Sequence, residues 1–332
     1  MADLLPVSVP DEFARATNTA HTGDVKPIAD SRLFQYGTAG FREKADVLPF
    51  IVFRVGYLAA LRARHLNKTI GVMVTASHNP KEDNGVKIID PMGEMLASEW
   101  EKFASELVNT SDEQLPTAVR ALEVQITTHK PADKARVVCA MDTRESGEHL
   151  MRAAKAGAAL FGVDFHSHGV LTTPQLHYIV RVDNDPSFGP ADELGYFMFI
   201  SDSFKELYRM TPCTGAYTPR LHLDCANGVG AQKMRLLYRF LPEGALDMDI
   251  RNENGELNHK CGADFVKIAK ELPDGFEDVP KGERCAVFDG DADRLVYFYV
   301  REDGKVELLD GDKIALLIAK YFEEVNSFVG LL

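Results

Sequence analysis

With 332 residues, the chain is long enough for two or three domains, each with its own core. Its 45% hydrophobic and 26% charged residues are those of an ordinary globular protein, and a formal charge of −13 argues against general attraction to nucleic-acid phosphates. No apolar run approaches the roughly 20 residues of a membrane-spanning helix, and the Met1–Pro6 stretch lacks the pattern of a secretory signal. The expectation is a protein with no nucleic-acid partner and no membrane partner. The five cysteines (Cys139, Cys213, Cys225, Cys261, Cys285) are scattered and form no CxxC pair. That spacing suits neither a zinc site nor a disulfide framework, and it favours reduced thiols and a cytoplasmic location. An acidic protein that binds an anion must concentrate its cations locally or use a metal ion.

In chain order, strand-like and helix-like segments alternate, which predicts an α/β architecture. Helical spacing of Ile51, Val55, Leu58 and Leu61 predicts a helix over 51–66. Ile70–Val74 reads as a short buried strand running into Thr75-Ala-Ser-His-Asn-Pro80, and Val86–Ile89 as another strand. Ser98 with Glu101 has the pattern of a capping box opening a helix to about Val108. Ala135–Met141 reads as a strand, and Glu145–Phe161 as a helix closed by Gly162. Pro174 suits the first position of a further helix. The Asp-, Pro- and Gly-rich stretch Asp183–Glu193 is a candidate domain boundary.

Beyond it, the pattern predicts a helix near Ser203–Arg209, a strand over Arg220–Leu223, a turn over Asp224–Gly230 and a helix over Ala231–Phe240. Arg284–Phe288 is a strand ending in an acidic loop. Leu295–Val300 and Val306–Leu309 flank Glu302-Asp-Gly-Lys305 as a hairpin. Asp310–Val325 is an amphipathic helix whose apolar face has no later layer to cover it, so the chain is expected to end inside a domain.

Several segments carry chemistry. Ser77 sits just past a strand, where a loop exposes a hydroxyl; taken alone it reads equally as a polar turn or a helix cap. His78 beside it is a polar neighbour or a catalyst. Asp289-Gly-Asp-Ala-Asp-Arg294 alternates three carboxylates with small residues, so Asp289, Asp291 and Asp293 can converge on a hard cation and leave room for phosphate and water. The downstream glutamate of a calcium EF-hand is absent, since Val300 stands seven residues after Asp293. Arg294 offers a planar fork to a phosphate. Gly37-Thr-Ala-Gly-Phe-Arg42 is a glycine-flanked turn suited to close backbone approach to phosphate. Lys87, if buried near a metal, becomes able to move protons. Asp224–Gly230 is either an anion site at a helix N-terminus or a structural strand-to-helix turn. His166 and His168 share a strand face, but two histidines without further ligands do not make a metal site.

Together, Tyr36–Arg42, Ile70–Lys87, Leu257–Lys267 and Val287–Arg294 resemble the α-D-phosphohexomutase superfamily, and the second and third favour its acetylglucosamine branch. The resemblance spans nearly the whole chain. It implies a multidomain α/β protein with mixed sheets flanked by helices: a first domain over 1–185 with the phosphoserine loop, a second over 186–300 with the Mg-binding loop, and the beginning of a third over 301–332. The family's sugar-reading loop (third domain) and phosphate-gripping loop (fourth domain) are then not reached before Leu332. It also implies that Ser77 carries a phosphoryl group facing Mg2+ held by that phosphate with Asp289, Asp291 and Asp293. Lys87 and His78 become candidate proton movers, and Arg42 and Arg294 phosphate stabilisers. The implied reaction interconverts the 6- and 1-phosphates of N-acetylglucosamine, a hexosamine phosphate substrate, through a 1,6-bisphosphate on the route to UDP-N-acetylglucosamine. The alternative expectation is an inactive fragment that retains Mg2+ or partner binding.

Overall fold

A computed structural model describes residues 8–126, 132–210 and 217–329. Cys213, the Met1–Pro6 stretch and Leu332 lie outside the described residues. The chain divides into two compact units, Met1–Ile200 and Ser201–Leu332.

In the first unit the order is β1 (Phe41–Lys44), α1 (Leu48–Leu66), β2 (Thr69–Val74), β3 (Asp83–Ile89), α2 (Ser98–Asn109), α3 (Leu115–Gln125), β4 (Arg136–Met141), α4 (Gly147–Ala159), β5 (Asp164–Val170) and α5 (Thr173–Asn184). Helix α6 (Glu193–Met210) runs across the division. The sheet has the order β1-β3-β2-β4-β5. β2 pairs antiparallel with β3 and parallel with β4, so it is the strand where the direction of pairing changes. Every residue of β2 is buried, as expected of a strand covered on both faces. Helix α1 is buried through its first 16 residues, Leu48–Ala63, so its apolar spacing marks a central helix and not an amphipathic surface one. It packs on the sheet within one large cluster that also takes in Phe13, Phe34, Trp100 and Leu150.

The second unit continues with β6 (Arg220–Asp224), α7 (Gly230–Tyr238), β7 (Asp247–Arg251), α8 (Ala263–Ala269), β8 (Cys285–Phe288), β9 (Leu295–Val300), β10 (Val306–Leu309) and α9 (Gly311–Val329). Its sheet has the order β10-β9-β8-β6-β7. Here β8 pairs parallel with β6 and antiparallel with β9, again the strand where pairing changes direction. The β9–β10 hairpin closes as its sequence predicts, with Arg301 N–H donating to Lys305 O at 2.9 Å. On α9, Leu316, Leu317, Tyr321 and Phe322 are exposed.

Two local expectations are corrected. Ser98 does not cap α2: the cap position is Ala97, without a side-chain bond, and the Ala97 N–H is taken up instead by the Asp90 carboxylate at 3.1 Å. A reciprocal capping box is found at Thr172 and Gln175, opening α5, with Pro174 within its first turn. The helix placed near Ser203–Arg209 begins ten residues earlier, at Glu193, because Asp192 Oδ1 accepts the Gly195 N–H at 2.7 Å and starts the turn. Four cysteines are free and buried, and burial pushes the thiols of Cys261 and Cys285 up to about 12 and those of Cys139 and Cys225 higher still. No helix among the described residues is long and apolar enough to cross a membrane.

Candidate active site

The Ser77 loop is the connection from β2 to β3. Ser77 is fully buried and has φ of 52°, in the left-handed region that costs an L-residue energy and therefore needs support from its surroundings. That support is dense. The Ser77 N–H donates to Thr75 Oγ1 at 3.0 Å, and Thr75 Oγ1 donates to Asp142 Oδ2 at 2.8 Å. Arg144, beyond the end of β4, reaches the loop's carbonyls. Its Nη2 donates to Ser77 O at 3.4 Å and Asn79 O at 2.8 Å, its Nε to Asp83 O at 2.8 Å, and its Nη1 lies 3.3 Å from Asp142 Oδ2. The Ser77 hydroxyl lies 3.4 Å from His78 Nδ1, and His78 is half-buried.

Around this loop, Arg42 on β1 pairs in register with Gly85 on β3, and its Nη1 donates to Asn79 Oδ1 at 3.4 Å. Lys87 is on β3 opposite Met73 and is buried. The Gly37–Gly40 turn closes on itself through two backbone bonds and rests on β3, where a Cβ on Gly40 would overlap the Val86 carbonyl oxygen. Asp83 closes the loop: burial works to raise its pKa, but hydrogen bonds from Lys44 and Asn79 outweigh it and hold the carboxyl below its ordinary range. The first unit therefore brings Ser77, His78, Arg42 and Lys87 onto two neighbouring strands and the loop that joins β2 to β3.

In the second unit, the acidic loop joins β8 to β9. One ligand atom from each of Asp289, Asp291 and Asp293 lies within 4.8 Å of the others. Asp289 and Asp291 are fully buried, whereas Asp293 is exposed. Ala292, at φ of 56°, turns the chain so that the carboxylates on either side of it converge. Asp289 Oδ1 also accepts the N–H groups of Asp293 and Arg294, each at 3.2 Å, which folds the loop back on its first residue. Arg294 Nε is 3.6 Å from Asp289 and 4.0 Å from Asp293, while its Nη1 donates to Asp264 on α8 at 2.8 Å. Three carboxylates this close, two of them out of water, repel one another strongly unless a cation compensates. An all-oxygen donor set of this kind fits a hard divalent cation such as Mg2+ or Ca2+. Among the described residues it is also the cluster of three or more metal-ligating side chains that the fold brings together.

The Asp224–Gly230 turn lies beside this loop and is structural in its bonding. Asp224, at the end of β6, accepts N–H groups from Ala226 and Gly262, both at 2.8 Å, and from the Asn252 amide at 3.0 Å. Burial raises the Asp224 pKa, opposed by those same donors. Gly228 fits against Gly290 of the acidic loop, where a Cβ would overlap the Gly290 carbonyl oxygen. Asp142, Arg144 and Asp264 are not among the sequence-derived candidates. Asp142-Thr-Arg144 follows a clean strand signal, and a charged pair directly past a parallel strand was the clue available. His166 and His168 do share a face of β5, with ring centroids 4.6 Å apart.

Two α/β units with mixed sheets, each placing a candidate loop past the strand where parallel pairing meets antiparallel, have the architecture of a phosphohexomutase-type protein. Residues 57–115 and 109–187 match the phosphoglucomutase/phosphomannomutase alpha/beta/alpha domain I, and 188–296 match phosphoacetylglucosamine mutase AMG1, domain II. The chain is 46% identical over 304 residues to the phosphoacetylglucosamine mutase of Sus scrofa, covering 91% of this chain and 56% of the relative. Two Aspergillus fumigatus structures are also similar. N-acetylphosphoglucosamine mutase with GlcNAc-6P and magnesium gives a TM-score of 0.83 at 43% identity, over 91% of this chain and 57% of that one. A serine-to-alanine variant of that enzyme with glucose 1,6-bisphosphate gives 0.86 at 40% identity, over 97% and 60%. The chain belongs to the phosphoacetylglucosamine mutase family. It spans little more than half the length of the curated relatives that it matches.

Proposed function

We propose that this chain carries the phosphoryl-transfer machinery of a phosphoacetylglucosamine mutase, an intramolecular phosphotransferase that interconverts N-acetylglucosamine 6-phosphate and 1-phosphate. The observation that carries this reading is the convergence of Asp289, Asp291 and Asp293 at the end of β8, in a chain whose other unit presents a serine from the same kind of strand-end loop. In this reading 1–185 is the first domain, 186–300 the second and 301–332 the start of a third. Ser77 is a phosphoserine, and the product supplies UDP-N-acetylglucosamine synthesis in the cytoplasm.

Asp289, Asp291 and Asp293 would hold Mg2+, and the chemistry it would supply is positive charge to offset that of the transferring phosphoryl group. The chemistry assigned to the chain's own residues is positioning and charge balance. A free hydroxyl of the sugar phosphate attacks the phosphorus on Ser77; the new P–O bond forms as the bond to Ser77 Oγ breaks. The sugar's proton passes to a base, for which Lys87 and His78 are the candidates, Ser77 Oγ takes up a proton as it leaves, and Arg42 and Arg294 balance phosphate charge. The 1,6-bisphosphate then turns over and returns its other phosphoryl group to Ser77.

The test is phosphorus NMR of the purified chain with N-acetylglucosamine 6-phosphate, Mg2+ and a trace of hexose 1,6-bisphosphate, paired with peptide mass spectrometry. Growth of the 1-phosphate signal with phosphate on Ser77 is the expected result. Interconversion by protein whose Ser77 stays unmodified throughout would overturn the mechanism, and Mg2+ binding without interconversion would support the inactive-fragment reading.

A further inference from the structure

The Ser77 loop is held by groups to which the phosphoryl-transfer scheme gives no task. We propose that the Asp142–Arg144 pair is a positioning device for the nucleophile, fixing the Ser77 backbone from both sides so that its hydroxyl keeps one direction. This rests on the reading of Ser77 as the phosphoryl carrier.

On the N-terminal side, the grip runs from the Ser77 N–H to Thr75 Oγ1 and from the Thr75 hydroxyl to Asp142 Oδ2, at 3.0 and 2.8 Å. On the C-terminal side, Arg144 Nη2 holds the carbonyls of Ser77 and Asn79 at 3.4 and 2.8 Å, and its Nε holds that of Asp83 at 2.8 Å. The two ends meet where Arg144 Nη1 lies 3.3 Å from Asp142 Oδ2, with both side chains fully buried. Asp142 Oδ1 also accepts the Arg144 N–H at 3.0 Å, so the pair fixes its own backbone. The planar guanidinium presents donors in a fixed fork, and three carbonyls spread over seven residues match that fork. A lysine ammonium is a compact point donor and cannot span them. A serine at φ of 52° relaxes toward ordinary backbone once such bonds are lost, and its hydroxyl then points elsewhere. Transfer from a hexose 1,6-bisphosphate breaks a sugar O–P bond, forms the Ser77 Oγ–P bond, sends the serine proton to a base and returns a proton to the leaving sugar oxygen. Its rate depends on that direction far more than does affinity for the sugar.

The test uses the 332-residue chain as Arg144→Lys, Thr75→Val and Thr75→Ser variants. Amide hydrogen exchange across the 75–83 segment and single-turnover phosphorylation of Ser77 by glucose 1,6-bisphosphate with Mg2+ are read in parallel. Arg144→Lys and Thr75→Val are expected to speed exchange in this segment alone. They should slow phosphorylation by on the order of 10²-fold while the half-saturating bisphosphate concentration stays within about twofold. Thr75→Ser, which keeps the hydroxyl relay, should restore both. Phosphorylation of Arg144→Lys at the parent rate, or unchanged exchange in both disruptive variants, overturns the proposal. If the parent chain takes no phosphate at all, the phosphoserine reading falls, and the exchange data alone decide whether the pair fixes the loop. Should Arg144→Lys fail to fold, the Thr75 pair decides it.

Discussion

The Ser77 loop leaves β2, which has β4 parallel on one side and β3 antiparallel on the other; the acidic loop leaves β8, which has the same two kinds of neighbour in β6 and β9. In each unit, the parallel neighbour ends near a buried aspartate that ties the region together, Asp142 past β4 and Asp224 at the end of β6. The resemblance stops at charge. Asp142 has Arg144 beside it, so the serine side carries a buried ion pair within its own unit. Asp224 is held by neutral N–H donors, and the acidic loop next to it adds three further carboxylates, with Arg294 at 3.6 to 4.0 Å. The serine loop is thus tied down by an ion pair, whereas the acidic loop gathers carboxylates whose mutual repulsion a bound cation would relieve.

The largest expected effect breaks this comparison on the serine side: Ser77→Ala should abolish phosphate uptake, a loss on the order of 10⁴-fold or more, scored by peptide mass spectrometry. On the acidic side, Asp291→Asn should weaken Mg2+ binding by at least about 100-fold in calorimetric titration. In the parent chain, saturating Mg2+ should slow amide exchange around 285–294 and leave 72–88 unchanged. Equal protection of both loops by Mg2+ would contradict the proposed difference.

Gly228→Ala sharpens the same contrast. Its Cβ meets the Gly290 carbonyl, so the acidic loop must shift, at a cost of about 1–3 kcal/mol in thermal unfolding and with weaker Mg2+ binding. Asp264→Asn should have a smaller effect, about tenfold in phosphoryl-transfer rate, by releasing Arg294 from its 2.8 Å partner.

The smallest effect concerns pH. Burial raises the Asp249 pKa, but hydrogen bonds from Arg251 and His222 outweigh it and depress the carboxyl below its ordinary value. A depressed folded-state pKa contributes stability above the unfolded value, and that contribution disappears as pH falls through the folded one. Asp249→Asn should therefore lower the melting temperature by a few degrees at pH 7, a gap that closes as pH falls below the ordinary carboxylate range.

Much of this is legible in the sequence itself. The hairpin Leu295–Val300 with Val306–Leu309 matched residue for residue, because alternating apolar residues and a Glu-Asp-Gly-Lys turn are local signals. β2 and the acidic loop were legible for the same reason. β1, four residues reading Phe-Arg-Glu-Lys, was not: it exists because it pairs with β3, some forty residues away. α3, β7 and α8 went unread too, each short and dependent on tertiary packing. Within the candidate sites, the residues that would meet phosphate or metal stood in recognisable runs. Those that hold them, Arg144 and Asp264, act on neighbours 65 and 30 positions distant, partners that local spacing does not identify.

The buried thiols give the molecule a pair of internal clocks. Cys139 lies on β4 of the first unit; in the second, Cys285 lies on β8, Cys225 just past β6 and Cys261 just before α8, all buried while their unit stays closed. An alkylating agent can reach each only when its surroundings open, so labelling followed peptide by peptide times the two sheets separately. Adding Mg2+ should slow the second clock and leave the first keeping its own time.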